Sequence, residues 1–282
     1  MAERPDADEL LIEEVAVDDE DASLGILAVA TINRPDKLNA LNQQVYSAIK
    51  QTCAWVESED KVRLLIFRGA EPNPPPEGKR AKPKSFVAGA DISEFLGKGS
   101  DDIRKSFANN AWEAIWNLSK PSIAMIDGFA LGGGLEVALS CDIRISSVDS
   151  RFATPEINLG LIPGGGGTQR LARLVGYGKA IEMVMSGEMV GAEEAAALGL
   201  VNHVCQSSEL EETTMKLARN IASKSAHTLK VAKQVVRSSL ERPLNEGVAL
   251  EAEAFAELFD SEDKEIGVKA FLEREKAVWK NR

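Results

Sequence analysis

Two isolated glutamates are the residues of this sequence best suited to acid–base chemistry. Glu136 lies in a run of leucine, valine and alanine that follows three glycines, and Glu156 comes twenty residues later, directly after Pro155. A carboxylate in apolar surroundings is either paired or has a shifted pKa and a functional role. The alternative for each is a solvated side chain, because most glutamates of folded proteins face water.

Glycine-rich turns near both glutamates could present backbone N–H groups to a ligand. The glycines 132–134 join an apolar strand to a helix, and the first N–H groups of a helix have no partner within it. The glycines 164–167 follow a proline and form a tight turn whose amides are free to bond something. Residues 88–90, Ala-Gly-Ala, end a short apolar run and leave their backbone unshielded by side chains. Close packing of a helix on a strand is the alternative reason for such glycines.

Alternating strands and helices are expected to position these segments. The hydrophobic pattern predicts strands over residues 10–17, 25–32, 63–68, 122–126, 143–147 and 200–205, with a further short strand that begins at Ser85. It predicts helices over residues 39–56 with Asn39 as the N-cap, and over 101–118, 169–175, 177–187 and 191–198. We expect a frayed N-terminus over 1–9, a core over 10–205, and a C-terminal helical region over 206–282 with breaks near Ser225, Pro243 and Ser261.

The composition excludes several classes of protein. The 282 residues, 44% of them hydrophobic, suffice for one large domain with a sizeable core. A net charge of −11 argues against nonspecific binding to nucleic acid or to an anionic membrane. Three scattered cysteines and the lack of metal-ligand spacing indicate reduced thiols, a cytoplasmic location and no metal site. The acidic N-terminus is unlike a signal peptide, and charges and glycines interrupt the apolar stretch 122–145, so we expect no membrane span.

Residues 70–84 form a loop of unusual composition, with five prolines and four basic residues. Such a segment is predicted to be a surface loop and not a helix or strand. It is either a solvated insertion, or it brings Lys79, Arg80, Lys82 or Lys84 to an anionic part of a ligand.

Four blocks of the sequence together resemble the crotonase (enoyl-CoA hydratase/isomerase) superfamily. They occur in the order and spacing of that family and are Phe86-Val-Ala-Gly-Ala-Asp-Ile92, Asp127-Gly-Phe-Ala-Leu-Gly-Gly-Gly-Leu-Glu136, Cys141-Asp142, and Pro155-Glu-Ile-Asn-Leu-Gly-Leu-Ile-Pro-Gly164 with Gly-Gly-Thr-Gln-Arg170. The resemblance extends from about residue 10 to the C-terminus, and the loop 70–84 departs from it by being longer than usual. It implies an α/β fold, a spiral of ββα units followed by a helical region that builds homotrimers, often paired into hexamers.

The resemblance also implies the parts of an active site for acyl-CoA thioesters. The backbone N–H groups of Ala90 and Gly133 match the pair that binds the thioester oxygen, which is an oxyanion hole. Glu136 and Glu156 match the two glutamates with which hydratases of the family add water to a double bond, and we assign Glu136 to the water and Glu156 to the proton delivered to C2. The amide of Gly164 matches a position that helps to hold the water.

The same resemblance implies how coenzyme A is bound. Lys37, Leu38 and Ala40 would contact the nucleotide and pantetheine together with the segment that contains Ala88, Asp91 and Ile92. Arg274 matches a basic position that can reach a CoA phosphate. No separate cofactor is implied, because CoA is part of the substrate.

Three functions remain open from the sequence. The first is an enoyl-CoA hydratase, which equally dehydrates 3-hydroxyacyl-CoA, on short-chain substrates. The second is a Δ3-Δ2 enoyl-CoA isomerase or another reaction of the family, although isomerisation needs only one carboxylate. The third is RNA binding through a Lys-rich helix, which the acidic sequence around Arg104 and Lys105 does not favour.

Overall fold

The structure is a computed structural model that describes residues 2–107 and 110–282. Its strands are β1 (Leu10–Ala16), β2 (Ile26–Ile32), β3 (Val62–Gly69), β4 (Ser85–Val87), β5 (Ser122–Ile126), β6 (Phe129–Leu131), β7 (Ile143–Ser147), β8 (Arg151–Ala153), β9 (Val190–Gly191) and β10 (His203–Cys205). Its α-helices are α1 (Gln43–Ser58), α2 (Ser100–Phe107), α3 (Ala111–Trp116), α4 (Gly133–Ser140), α5 (Gly167–Ser186), α6 (Ala192–Ala197), α7 (Leu210–Ala222), α8 (Ala226–Ser238), α9 (Leu244–Glu257) and α10 (Glu262–Glu273). Short 3-10 turns lie at Pro35–Lys37, Ile92–Phe95 and Pro155–Leu159.

Two sheets form the centre of the fold. The larger has the strand order β1-β2-β3-β5-β7-β10, and the smaller has the order β4-β6-β8-β9. From β3 to β8, consecutive strands alternate between the two sheets, and helical segments follow each pair of strands. This alternation is a series of ββα units, so the predicted α/β spiral is confirmed.

The larger sheet is antiparallel at one edge and parallel elsewhere. β1 and β2 form the predicted hairpin, in which Leu10 faces Ile32 and Ala16 faces Ile26. β2, β3, β5 and β7 run parallel, and the first six residues of β3 are buried, as expected for a strand covered on both faces. Because parallel strands end at the same edge of a sheet, the segments that follow β2, β3 and β5 lie along one edge.

The first helix begins later than predicted, and Asn39 is not its N-cap. Asn42 caps α1, with its side-chain oxygen accepting the N–H of Val45 at 2.9 Å. Asn39 is buried in the left-handed conformation (φ 59°) and donates to the carbonyls of Ala70 and Ser85 at 2.9 and 2.8 Å. Its amide therefore joins the segment after β2 to the start of β4, a long-range role that a local capping pattern does not show.

The helix predicted over 101–118 is divided into α2 and α3. Residues 108–109, inside the predicted range, lie outside the described residues. Asn110 begins α3 by accepting the N–H of Glu113 at 2.9 Å. A side-chain cap of this kind starts a new helix. The apolar periodicity continues unbroken past Asn110, so periodicity alone predicts a single helix.

Two smaller differences concern the segments after the glycine turn. The helices predicted over 169–175 and 177–187 form one element, α5, which keeps the predicted break as a kink at Gly176 (φ 79°, ψ 160°). The strand predicted over 200–205 is shorter, because β10 begins at His203.

The C-terminal helices have the predicted breaks. Ser225 and Ser261 cap α8 and α10 by accepting the N–H groups of Thr228 and Lys264, both at 3.1 Å. α9, α10 and the turn between them carry large apolar side chains that are exposed in the single chain, namely Leu244, Val248, Phe255, Phe259, Val268, Phe271 and Leu272. The domain boundary at residues 205–206 stays a prediction. Among the described residues, no helix is long and apolar enough to cross a membrane.

Candidate active site

Glu136 is held in the first turn of α4 by the glycine turn between Pro163 and α5. Its side chain is buried, with 2% of the residue exposed. Its Oε1 accepts the N–H groups of Gly165 and Gly167 at 2.7 and 2.8 Å. A Cβ on Gly165 would lie 2.9 Å from Oε2, and one on Gly167 would lie 2.9 Å from Oε1. The free amides expected of this turn therefore bind a carboxylate, and their glycines leave the room that it needs.

Glu156 lies in the 3-10 turn Pro155–Leu159, directly after β8. A Cβ on Gly132 would be 2.6 Å from its Oε1, so the carboxyl group touches the turn that begins α4. Its Oε2 is buried and has no hydrogen-bond partner among the described residues. Such an oxygen is available to a water molecule or a substrate.

The two carboxyl groups have raised pKa values. Burial is the main cause that raises the pKa of Glu136 to about 7, and the charge of Glu156 acts in the same direction, while the N–H groups of Gly167 and Gly165 lower it. Burial also raises the pKa of Glu156. Glu136 can therefore hold a proton near neutral pH, and a charge on Glu156 favours that protonated form.

The N–H groups of Ala90 and Gly133 lie close together. The N–H of Leu41 donates to the carbonyl of Gly89 at 2.8 Å, and the N–H of Asp91 donates to the carbonyl of Leu41 at 2.7 Å. Because this is a parallel bridge, the N–H of Ala90 points away from Leu41. The nitrogen of Ala90 is 3.6 Å from the place that a Cβ on Gly133 would take. The two backbone amides thus lie near each other, beside the turn that Glu156 touches, and their role as an oxyanion hole stays a prediction.

Gly164 lies next to the amides that hold Glu136, beneath an aromatic pair. A Cβ on Gly164 would be 2.8 Å from the ring of Phe107, which stacks on Trp112 at 5.8 Å between centroids. The indole of Trp112 donates to the carbonyl of Gly133 at 3.1 Å. These rings cover the turn and anchor the start of α4.

The segment predicted to bind CoA is brought to the same edge of the sheet. The N–H of Ala88 donates to the carbonyl of Leu38 at 3.1 Å, and Lys37 ends the 3-10 turn just before it. Arg34 donates to the carbonyl of Ala40 at 2.6 Å and pairs with Asp91 at 3.0 Å. Ile92 follows with an exposed side chain. The structure therefore places all six of these predicted residues in one region.

Arg274 is not part of that region in the single chain. Two residues further on, Lys276 pairs with Asp18 and Asp21, both at 3.7 Å, in the turn before β2. The predicted CoA segment follows the other end of β2, about 23 Å away for a seven-residue strand. A contact between Arg274 and CoA stays a prediction, and it requires a neighbouring copy of the chain.

A separate cavity of about 770 Å³ lies behind the glycine turn, between α5 and α8. Gly166, Arg170, Arg173 and Arg237 line it, and it contains neither Glu136 nor Glu156. In residues 2–107 and 110–282, no three histidine, cysteine or carboxylate side chains are grouped so that they could hold a metal ion. The chemistry available at the edge of the sheet is therefore that of two carboxyls and two backbone amides.

Comparison with known proteins gives a family for this arrangement. Residues 22–282 match the enoyl-CoA hydratase/isomerase family. The chain belongs to that family. It is 41% identical to the short-chain-enoyl-CoA hydratase of Clostridium acetobutylicum (92% of this chain and 96% of the relative) and 38% identical to the crotonyl-CoA hydratase of Syntrophomonas wolfei (89% and 93%). A solved enoyl-CoA hydratase from Bacillus anthracis superposes with a TM-score of 0.85 at 29% identity, over 97% of this chain and all of the other.

Membership of the enoyl-CoA hydratase/isomerase family confirms the resemblance seen in the sequence. Some contacts of the site are not among the sequence-based predictions. The indole of Trp112 and the guanidinium of Arg34 were not predicted to take part. Asn39 was assigned to a helix cap. Arg34 and Asn39 flank the turn that begins at Pro35, and polar residues in such a loop indicate side-chain hydrogen bonds without indicating their distant partners.

Proposed function

We propose that this protein is an enoyl-CoA hydratase, a hydro-lyase that adds water reversibly to the C2=C3 double bond of an enoyl-CoA. In the reverse direction it dehydrates a 3-hydroxyacyl-CoA. The observation that carries the proposal is the pair of buried carboxyl groups, Glu136 held by two backbone N–H groups and Glu156 with an unbonded oxygen, beside the neighbouring amides of Ala90 and Gly133. Relatives at 38–41% identity whose names are crotonyl-CoA and short-chain-enoyl-CoA hydratase support a short acyl chain.

The amides of Ala90 and Gly133 bind the thioester oxygen in this mechanism. Addition of water at C3 pushes electron density onto that oxygen, and an enolate-like charge develops there. Two fixed N–H groups stabilise this charge more than they stabilise the neutral thioester, and one such donor contributes about 3 kcal/mol. Both are backbone groups, so side-chain replacements at the glutamates leave them in place.

Glu136 and Glu156 divide the proton transfers. Burial raises the pKa of Glu136 to about 7, and the two N–H groups on its Oε1 oppose this by favouring the ionised form, so we assign Glu136 to remove a proton from water. Glu156 has a buried oxygen without a hydrogen bond, which favours its protonated form, so we assign it to deliver the proton to C2. After each addition Glu136 holds the proton taken from water and Glu156 is ionised, so one proton must return from Glu136 to Glu156, directly or through solvent, before the next turnover. The reverse reaction uses the same groups in opposite roles.

Other functions receive less support from the described residues. A Δ3-Δ2 isomerase can work with one carboxylate, whereas two are placed here. In α2, Arg104 is paired with Asp101 and is not part of a basic surface, so RNA binding is not favoured. We propose no metal and no cofactor beyond the CoA of the substrate. A cytoplasmic location belongs to the same proposal and rests on the three free cysteines.

The proposal is tested by following crotonyl-CoA and 3-hydroxybutyryl-CoA separately with the purified protein. We expect both to reach the same equilibrium mixture, because a hydratase catalyses both directions. A panel of 2-enoyl-CoA substrates from C3 to C16 then gives the preferred chain length. A protein that leaves crotonyl-CoA and all longer 2-enoyl-CoA esters unchanged is not a hydratase.

Oligomer formation is predicted from the exposed apolar side chains of α9 and α10. Residues such as Phe255, Phe271 and Leu272 are more than half exposed in the single chain, which is unfavourable for a stable monomer. We propose a homotrimer or a dimer of trimers. Light scattering at micromolar concentration should return three or six times the chain mass of 30.4 kDa, and a value near 30.4 kDa contradicts the prediction.

The basic loop 70–84 is predicted to contribute to CoA binding through its free cations. Lys84 pairs with Asp127 at 2.8 Å, while Lys82 pairs with Asp36 at 3.2 Å and so holds the loop over the predicted CoA segment. The exposed Lys79 and Arg80 have no salt bridge among the described residues. Replacing both by alanine should raise KM severalfold at low salt with kcat unchanged, as expected when uniform binding is lost.

The control for this loop is a second pair of exposed basic residues. Lys216 and Arg219 are exposed on α7, which packs against strands of the larger sheet. Their replacement by alanine removes the same charge from the protein and should leave KM unchanged. Equal KM values for the two double variants would show that the loop is a solvated insertion.

A further inference from the structure

Arg170 connects the glycine turn that holds Glu136 to the helices behind it. Its Nη1 donates to the carbonyl of Gly165 at 2.7 Å, and its Nη2 donates to the carboxylate of Glu113 at 3.0 Å. Gly165 is also the residue whose N–H binds Oε1 of Glu136. The guanidinium of Arg170 therefore holds the carbonyl of Gly165, and the N–H of the same Gly165 holds the carboxylate of Glu136.

The surroundings of Arg170 are shaped to keep it in this place. Its guanidinium lies 4.6 Å from the ring centroid of Trp116, and the same ring also contacts Arg237 at 3.9 Å. A Cβ on Gly166 would lie 2.3 Å from Nη1, so a glycine at that position is needed for the side chain to reach the turn. The side chain of Arg170 is only 10% exposed. The contact is thus a packed one and not a flexible surface pair.

The location is otherwise unfavourable for a cation. Arg170 lies in the first turn of α5, where the positive end of the helix dipole opposes a positive charge. Its near-complete burial adds a desolvation cost. The hydrogen bonds to Gly165 and Glu113 and the stacking on Trp116 offset these costs, and all three contacts lead directly to the glycine turn or to α3 beside it.

We propose that Arg170 is a positioning residue for the hydration reaction, which by holding the carbonyl of Gly165 keeps the N–H groups of Gly165 and Gly167 directed at Glu136. The carboxylate is then ionised and correctly oriented when water binds. The catalytic consequence rests on the proposed function. The effect of Arg170 on Glu136 does not, since it is a property of the protein without substrate.

Several charged or titratable groups face Glu136 or Arg170 from neighbouring elements. Tyr46 on α1 and Glu156 in its 3-10 turn act on Glu136, and Glu113 on α3 pairs with Arg170. The other charged groups line the cavity beside Arg170 and are Asp142 after α4, Arg144 on β7, Arg173 on α5, Lys233 and Arg237 on α8, and Glu241 after α8. Replacing Arg170 alone leaves all of these in place. It removes one nearby positive charge and loosens two N–H bonds to the ionised form, and both changes raise the pKa of Glu136.

The test compares Arg170→Gln with Arg173→Gln. Arg173 lies one turn further along α5 and donates to the carbonyls of Leu240 and Gln169, not to the glycine turn. Both variants remove one positive charge from the same helix. The protonation of Glu136 is followed against pH by the infrared band of its carboxyl group, which is assigned by its absence in Glu136→Gln.

In Arg170→Gln, the titration midpoint of Glu136 should rise by at least about half a pH unit, and Arg173→Gln should match the wild type. Because the base must be ionised, the acidic limb of kcat/KM for crotonyl-CoA should move to higher pH by the same amount. At alkaline pH the rate should recover, and KM should not change. A merely structural role would lower kcat equally at every pH.

An unshifted midpoint in Arg170→Gln contradicts the proposal, whatever its activity. If Arg170→Gln does not fold, Arg170→Lys replaces it, because an ammonium group cannot bond Gly165 and Glu113 together as the guanidinium does. A folded Arg170→Lys protein in which the titration midpoint of Glu136 is unshifted also contradicts the proposal. If even the wild type does not hydrate crotonyl-CoA, the proposed function fails, while the titration still decides the role of Arg170.

Discussion

Replacing either Glu136 or Glu156 by glutamine is expected to lower kcat for the hydration of crotonyl-CoA by at least about 100-fold. Glutamine keeps the size and hydrogen-bonding shape of the side chain but cannot accept or deliver the proton. The N–H groups of Gly165 and Gly167 can still bond the amide oxygen at position 136, so the fold of the turn should survive. Steady-state kinetics of the two single variants measure the effect.

The double variant shows whether the two carboxyls act as a unit. Its loss of kcat should be much smaller than the product of the two single losses, because either loss alone already stops the proton exchange. Binding of a CoA ester should persist in all variants, since the oxyanion amides are backbone groups. Glu193→Gln, an exposed position on α6, is the control and should have wild-type kinetics. Near wild-type hydration by either single active-site variant is incompatible with the two-carboxylate mechanism.

Gly134→Ala is expected to damage both the stability and the oxyanion hole. A Cβ at this position would be 2.1 Å from the carbonyl oxygen of Val87 and 2.6 Å from its Cβ. α4 and β4 would have to separate, which costs about 1–3 kcal/mol of unfolding free energy or more. Since β4 leads to Ala90 and α4 begins with Gly133, the same movement separates the two amides.

The expected loss of kcat in a folded Gly134→Ala protein is about 100- to 1,000-fold, the effect of removing one oxyanion donor. Calorimetry and crotonyl-CoA kinetics measure the two effects separately. Gly178→Ala is the matched control, because a Cβ there meets nothing within 4 Å in helix α5. It should leave kcat unchanged and the unfolding free energy equal or slightly higher. A Gly134→Ala protein as stable and active as Gly178→Ala would show that the close packing of α4 on β4 is wrong.

The parts of the fold that depend on local pattern could be predicted from the sequence. The strand Ser122–Ile126 has its predicted bounds, and the C-terminal breaks occur at Ser225 and Ser261, because apolar runs and serine caps are local signals. The candidate carboxylates were found for a similar reason. A glutamate among leucine, valine and glycine contrasts with its neighbours in any single sequence.

The parts that depend on long-range contacts could not be predicted. Nothing near Asn39 in the sequence indicates that its amide bonds Ala70 and Ser85, and the local pattern predicts a helix cap instead. The location of Arg274 is equally hidden from the sequence, because it depends on the long-range pairing of the C-terminal tail, where Lys276 reaches Asp18. The tetrad of glycines indicated free amides, but only the fold shows that they bind Glu136.

The most direct test of the central claim compares two reactions of the wild-type protein. One assay measures kcat/KM for the hydration of crotonyl-CoA, and the other measures kcat/KM for the conversion of 3-butenoyl-CoA to crotonyl-CoA. Two cooperating carboxyls that activate water and protonate C2 predict that hydration is the faster reaction, and that it is lost in both Glu136→Gln and Glu156→Gln. Faster isomerisation that survives the loss of one of the two glutamates would contradict the claim.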